Sequence, residues 1–253
     1  MKHLRNVISL AAALLISAVA AQAETTAILA KARSYLGEEA VLNGVRSVRY
    51  RGMVERQEKA ADGTERPVAS QIEIIFQRDY QQLVTQTGVE GRVLTALNGY
   101  EGWSMSEDAN GRQRAPLLFG KDRIKRLRAS VWQNLSFYRG IESVGGHLED
   151  HGVVEIDGTR GHKISFVHEP GIVYVRYFDV DTGRLLFTET DLGIRIREEG
   201  ELRVDGIRFP KRIINMTTGP DGKEHVVTIT INEVAVNTPF PDELFSVPLA
   251  PRR

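Results

Sequence analysis

The chain has 253 residues with 33 basic and 33 acidic side chains, so its formal net charge is zero; 42% of it is hydrophobic and 26% charged. That balance describes an ordinary folded domain and offers no basic excess to recruit nucleic acid. With no cysteine there is no disulfide framework, no thiol metal site and no lipid-accepting cysteine.

The first residues read as a secretory signal. Lys2 and Arg5 are basic, Val7 to Ala20 is almost wholly apolar, and Ala21-Gln22-Ala23 has the small-x-small form that signal peptidases cut. The apolar run falls short of the roughly 20 residues a membrane span needs. Residues 1–23 are therefore expected to be removed, leaving residues 24–253 as one soluble domain in a bacterial periplasm; no Pro/Ser-rich linker or charge block divides them.

From Thr26 to Leu42, Ile28, Leu29, Ala32, Leu36 and Ala40 recur at helical spacing, and Asn43-Gly44 ends a predicted first helix. The rest of the chain repeats, about ten times, a short alternating run followed by a Gly, Asn, Asp or Pro turn. Val45 to Arg56 places Val48, Tyr50 and Val54 on one face and Arg49, Arg51 and Glu55 on the other, as in a half-wet strand. Ile72, Ile74 and Phe76 repeat the pattern after a polar loop at Gln57 to Pro67. Strands around Gln82 to Thr87 and Arg92 to Asn98 follow, punctuated by Gly88 to Gly91 and Asn98-Gly99.

An apolar loop, Ala115 to Phe119, comes next; it is expected to tuck against the following helix, the other reading being a contact for cargo or partner. Asp122 to Arg139 is the predicted main helix, with Ile124, Leu127, Val131, Leu135 and Tyr138 along one stripe. Lys121, Arg123, Lys125, Arg126 and Arg128 crowd its N-terminal turns, where the helix dipole disfavours cations. They read first as a solvated face and second as a contact for an anionic lipid or membrane surface, with a transient contact to the membrane or to a membrane-bound partner implied.

In the second half, both alternating sets of Ile172 to Phe178 are apolar, so this strand should be covered on both faces or lined by a ligand on one. Arg176 interrupts it. It is either a guanidinium stacked on tyrosine or reaching an edge carboxylate, or a polar anchor for a ligand head group. Ile194, Ile196, Leu202 and Val204 share one side of a strand whose inward positions include Glu198 and Gly200, which suggests a bulge or bend. Val227, Ile229 and Ile231 form the inner side of a last strand, and one face of the sheet is expected to be wet throughout.

Several short motifs carry a resemblance. Tyr35-Leu36-Gly37, Val45 to Gly52, Asn98-Gly99-Tyr100-Glu101-Gly102-Trp103, Asp179-Val180-Asp181-Thr182-Gly183, Val204 to Pro210 and Asn237 to Val247 occur in order along nearly the whole chain. Together they resemble the periplasmic lipoprotein-carrier superfamily, the LolA/LolB-like proteins. The resemblance implies a mainly β fold: a single strongly curved antiparallel sheet, an unclosed half-barrel, with an N-terminal helix and a central amphipathic helix plugging its concave face. It also implies binding of lipid or of lipoprotein acyl chains inside.

Enzymatic readings find less support. His147 and His151 fall in what reads as a Gly-rich turn, and His162 and His168 share one face of a later strand too far apart for one metal. Asp179 and Asp181 open like a calcium loop, but Gly183 comes too early and no glutamate stands at the twelfth position, so a hairpin turn is expected. There is no Gly-x-Ser-x-Gly elbow, phosphate loop or dinucleotide fingerprint, and no cofactor is implied. The favoured function is a monomeric carrier of lipid or acyl chains. Its candidate lining is Tyr50, Ile74, Phe76, Leu97, Phe166, Tyr174, Arg176 and Phe178 from strands and Ile124, Leu127, Val131 and Leu135 from the helix. The alternative is an envelope sensor or scaffold that binds a regulatory protein through the same fold.

Overall fold

The computed structural model describes residues 23–59, 64–169 and 171–248. The signal sequence expected over residues 1–23 thus lies, but for Ala23, outside the described residues, and so does most of the first hairpin's loop. No helix among the described residues is long and apolar enough to cross a membrane.

The predicted first helix is two helices, α1 (residues 23–36) and α2 (Glu39–Asn43), separated at Gly37 and Glu38. The break brings Gly37 against the turn at Asp205 and Gly206: a Cβ there would lie 2.9 Å from the carbonyl oxygen of Gly206. After α2 the chain runs through β1 (Ser47–Lys59), β2 (Glu65–Gln77), β3 (Gln81–Gly88), β4 (Gly91–Asn98), β5 (Glu101–Asp108) and the two-residue β6 (Leu117–Leu118). The polar stretch read as a loop from Gln57 to Pro67 is mostly strand, because β1 and β2 stay paired out to Lys59 and Glu65. Helix α3 (Lys121–Leu135) follows, four residues shorter at its C-terminus than the spacing predicts, because Phe137 and Tyr138 turn into left-handed conformations.

The second half comprises β7 (His147–Ile156), β8 (Thr159–Glu169), β9 (Ile172–Asp179), β10 (Leu185–Thr190), β11 (Arg195–Glu199), β12 (Leu202–Val204), β13 (Ile207–Phe209), β14 (Arg212–Thr218) and β15 (Glu224–Val236). His147 and His151 therefore lie on a strand rather than in a turn. The expected bend at Glu198 and Gly200 is a full break: Gly200 adopts φ +66°, β11 stays in the main sheet, and β12 leaves it to pair with β13. Asp179 closes the β9–β10 turn by accepting from the backbone N–H groups of Asp181 and Thr182. Gly183, at φ +76°, follows it and lies directly against α1, where a Cβ would meet the Lys31 carbonyl carbon at 2.6 Å.

Thirteen strands form one curved antiparallel sheet in the order β6-β5-β4-β3-β2-β1-β15-β14-β11-β10-β9-β8-β7, not closed into a barrel. The first half of the chain meanders outward from β1 and the second half returns to it, so β1 and β15 are central neighbours and β6 and β7 are the two far edges. Gly52 of β1 faces a bulge in β15, where Asn232 is the extra residue between the partners of Arg51 and Gly52; the strands come so close there that a Cβ on Gly52 would lie 2.0 Å from the Thr230 carbonyl oxygen.

This topology dictates where α3 lies. It is the link between the two edges, so it must cross the open mouth. Its stripe of Ile124, Leu127, Val131 and Leu135 packs against Phe76, Leu97 and Val48 on the inner face of the first half-sheet. Trp132 in its last turns and Tyr138 beyond its C-terminus join α1 residues Ile28, Leu29 and Ala32 over Ile164, Phe166 and Phe178 of the second half. Arg33 of α1, 5% exposed, locks this end: its guanidinium donates to the carbonyl oxygens of Ser136 and Phe137 at 3.0 and 2.7 Å, to Glu39 at 2.8 Å and to Asn43 at 3.0 Å.

The outer face is not wet throughout. On β2–β5, Ile75, Leu83, Ala96, Trp103 and Met105 form a second apolar surface, covered by Phe240, Phe245 and Val247 of the C-terminal tail. The indole N–H of Trp103 donates to the carbonyl oxygen of Phe245 at 2.9 Å, which fixes the tail in place. The loop before α3 is not tucked either. Backbone pairing to β5 holds β6 as the last strand of the sheet, where Leu117 and Leu118 stand 63% and 66% exposed.

Candidate functional site

The basic residues at the start of α3 are anchors. Arg128 donates to the carbonyl oxygen of Gly99 in the β4–β5 turn at 2.9 Å and stacks over Tyr80 and Tyr100. On the opposite rim, Lys125 pairs with Glu169, and Arg126 pairs with Asp191 at 2.7 Å while donating to the carbonyl oxygen of Gly171. Arg123 lies 3.6 Å from the centroid of the Phe119 ring. Cations that the helix dipole disfavours are thus used to tie the helix to both sides of the mouth. Asp191 answers electrostatically: burial raises its carboxyl pKa, but hydrogen bonds from Arg126 and the Val173 backbone outweigh that and hold it below the ordinary range.

Because the apolar stripe of α3 turns toward the first half-sheet, a different face of the helix looks at the second. Arg126, Ser130, Gln133 and Asn134 roof a hollow of about 420 Å³. Its floor and walls come from Tyr50 on β1, Tyr174 and Arg176 on β9, Thr188 and Thr190 on β10, Ile196 and Glu198 on β11, Ile213 on β14 and Ile229 on β15, with Leu36, Phe137, Tyr138 and Phe209 at the deep end. Leu192, 60% exposed, stands on its rim. A small apolar annex of about 70 Å³ continues from Tyr50 toward Ile74, Phe76 and Ile231. The volume lies within the roughly 300–1,000 Å³ common for small-ligand sites. Two clefts of about 410 and 470 Å³ flank α3, but they are bordered mainly by the turn and helix residues that pin it rather than by a strand floor.

The hollow is greasy at its walls and polar at its centre. Arg176 is 7% exposed, and its Nε and Nη1 atoms are buried without a hydrogen-bond partner among the described residues. Its guanidinium carbon lies 4.7 and 5.0 Å from the centroids of the Tyr138 and Phe166 rings. Burial weakens its hold on the proton and lowers its pKa. Glu198 is half-buried on the cavity wall, where desolvation raises its pKa while the nearby Arg176 pulls the other way. The phenols of Tyr50, Tyr138 and Tyr174 are all raised by burial. An unpartnered buried donor ordinarily costs about 1 to 3 kcal/mol, so this centre is unfinished as protein.

His168 lines the neighbouring cleft of about 470 Å³ and touches Gln133 and Tyr174 of the hollow's lining. Its ring contacts Trp132 and Tyr174 edge-on, its Nε2 lies 2.7 Å from the Gln133 side-chain nitrogen, and burial together with the Arg176 charge brings its pKa down to about 4. His162, by contrast, is tied to Asp150 at 2.8 Å, and His151 to the Ser165 hydroxyl at 2.7 Å.

Of the residues expected to line a cavity, Tyr50, Tyr174 and Arg176 meet at the main hollow, and Ile74 and Phe76 at its annex. Leu97, Phe166 and Phe178 are fully enclosed in the solid core. Ile124, Leu127, Val131 and Leu135 pack against the first half-sheet away from this hollow, with Val131 and Leu135 bordering the cleft of about 410 Å³ and Ile124 that of about 470 Å³. Glu198, Tyr138, Gln133 and Asn134 were not among the expected lining. Glu198 was legible as a charged residue at an inward strand position; the roofing amides carried no signal, because their face depends on which half-sheet the apolar stripe chooses.

No family model and no curated protein matches the chain. Solved structures do. A LolA superfamily protein from Nitrosomonas europaea superposes with a TM-score of 0.53 at 14% identity over 87% of this chain and 96% of that one. A putative outer membrane lipoprotein-sorting protein domain from Vibrio parahaemolyticus gives 0.53 at 9% identity, over 86% and 95%. A DUF1329 family protein from Desulfovibrio piger gives 0.53 at 11% identity, over 87% and 96%. The fold is therefore LolA-like, as the motif order implies.

Proposed function

We propose that this protein is an exported, periplasmic carrier that holds a lipid, or the acyl chains of a lipoprotein, in the hollow between α3 and the second half-sheet. It binds its cargo and does not transform it. The observation that carries this reading is the hollow itself: about 420 Å³ beside Ile196, Ile213 and Ile229 that the protein's own side chains leave empty, under a helix tied across the mouth by surface ion pairs. Each methylene placed there gains about 0.8 kcal/mol from burial. The naming of a LolA superfamily protein and a lipoprotein-sorting domain among its structural neighbours supports the same reading.

Such a site recognises length and bulk of hydrocarbon through area, and the anchors on α3 are partly exposed pairs of the kind worth less than about 1 kcal/mol each, weak enough to release the helix when cargo enters. Native mass spectrometry of gently purified protein should show co-purified lipid, and a fluorescent fatty acid should bind one to one. Bare protein together with no fatty-acid uptake would defeat the carrier reading.

A further inference from the structure

The hollow contains a buried cation that nothing in the described protein answers. Two of the three Arg176 nitrogens, Nε and Nη1, are buried and unpartnered, and no carboxylate lies within ion-pairing distance of the guanidinium among the described residues. The aromatic rings of Tyr138 and Phe166 attend to its face, 4.7 and 5.0 Å away. Stacking satisfies the face of a guanidinium; its N–H donors lie in the plane and still need acceptors. The other polar groups around the space point to the same kind of occupant. The hydroxyls of Tyr50, Tyr138 and Tyr174 make no hydrogen bond to described residues, and each can donate.

Two acceptors in the lining oppose an anion, the buried and unpartnered amide oxygen of Gln133 and the carboxylate of Glu198. Burial raises the carboxyl pKa of Glu198 against the pull of Arg176, which weakens that opposition. The remaining charges near the space are already engaged, Arg126 with Asp191 and Arg208 with Glu201.

We propose that the hollow takes an acyl chain carrying an oxyanion head, a carboxylate or a phosphate monoester, which enters head first and accepts in-plane hydrogen bonds from Arg176 with the tyrosine hydroxyls around it. This rests on the reading of the hollow as a lipid site and adds the charge of the head. The two oxygens of a carboxylate or phosphate match the guanidinium fork, and the apolar walls from Ile196 to Ile229 lie beside it to take the chain.

The test is displacement of the neutral dye N-phenyl-1-naphthylamine from the purified mature protein by three ligands with the same oleoyl chain: oleate, oleoyl lysophosphatidate and methyl oleate. At least one anionic ligand should displace the dye at about tenfold or more lower concentration than the ester. Oleate ahead of lysophosphatidate identifies a carboxylate head, and the reverse order a phosphate. Arg176→Met should bring the anion-to-ester ratio close to one. Glu198→Gln, which keeps the shape and removes any negative charge, should keep or raise the ratio, and it serves should the Arg176 variant not fold. Equal displacement by all three ligands, or a ratio that survives Arg176→Met, overturns the anionic head and leaves the carrier reading standing. Failure of all three to displace the dye overturns both.

Discussion

Two regions of this molecule are built around a buried arginine, and they finish it in opposite ways. At the C-terminal end of α3, Arg33 is surrounded by two backbone carbonyls, a carboxylate and an amide oxygen, each within 3.0 Å. In the hollow, Arg176 is nearly as buried but has rings above it and no described acceptor in its plane. The first arrangement is structural: the guanidinium supplies donors to helix-end carbonyls that otherwise go unpaired. The second leaves donors aimed into empty space. Depth of burial is therefore no guide to role; the count of partners is.

The contrast can be broken or sharpened by substitution. The largest effect should come from Arg33→Met, which strands the Ser136 and Phe137 carbonyls while Glu39 keeps Arg139; a loss of about 2 to 4 kcal/mol is expected in chemical denaturation. A loss below about 1 kcal/mol would mean that solvent reaches this end of the helix.

Next in size is a pH effect on the side of the hollow. His168 has a folded pKa of about 4 against an ordinary value of 6.5, so the unfolded chain binds the proton more tightly. Stability should thus be full above about pH 6.5 and fall as the pH drops toward 4, by about 1 to 2 kcal/mol after allowance for its partial exposure. Thermal melts across that range should show a shallower slope for His168→Gln, and an unchanged slope would remove His168 as the cause.

Smaller still, Arg176→Met should alter stability by less than about 1 kcal/mol, since the lost stacking is offset by release of an unpaired buried charge. A loss as large as that of Arg33→Met would show that Arg176 is structural and erase the distinction. Ile196→Phe, which extends a wall into the hollow, should also stay within about 1 kcal/mol because it fills space rather than overpacks it, yet it should abolish fatty-acid uptake. Smallest of all, Arg126→Ala should cost about 0.5 kcal/mol and speed cargo exchange in stopped-flow fluorescence, by freeing α3 from Asp191.

Much of the architecture was legible from period alone. Val48, Tyr50 and Val54 alternate cleanly, so β1 could be placed and faced without knowing its partners. The covered outer patch was harder to see, although the consecutive Ile74, Ile75 and Phe76 signalled it: three apolar neighbours on a strand cannot all face inward. The hollow was only half legible. Tyr50, Tyr174 and Arg176 stood out as inward residues, whereas the apolar stripe of α3 invited the inference that grease faces cargo. In three dimensions that stripe serves the first half-sheet, and the amides behind it roof the hollow. A one-dimensional pattern says that a helix has a preferred side, not which of two surfaces claims it.

The adjacency of β1 and β15 has a temporal consequence. Val48 pairs with Val236, so the middle seam of the sheet joins its first strand in the chain to its last. Each outer meander can zip from local hairpins, but the seam must wait until the last strand has left the ribosome, and loop closure over such a separation is slow. Until then both halves carry bare strand margins that invite mispairing. A nascent chain of this design depends on escort during synthesis more than its finished stability suggests.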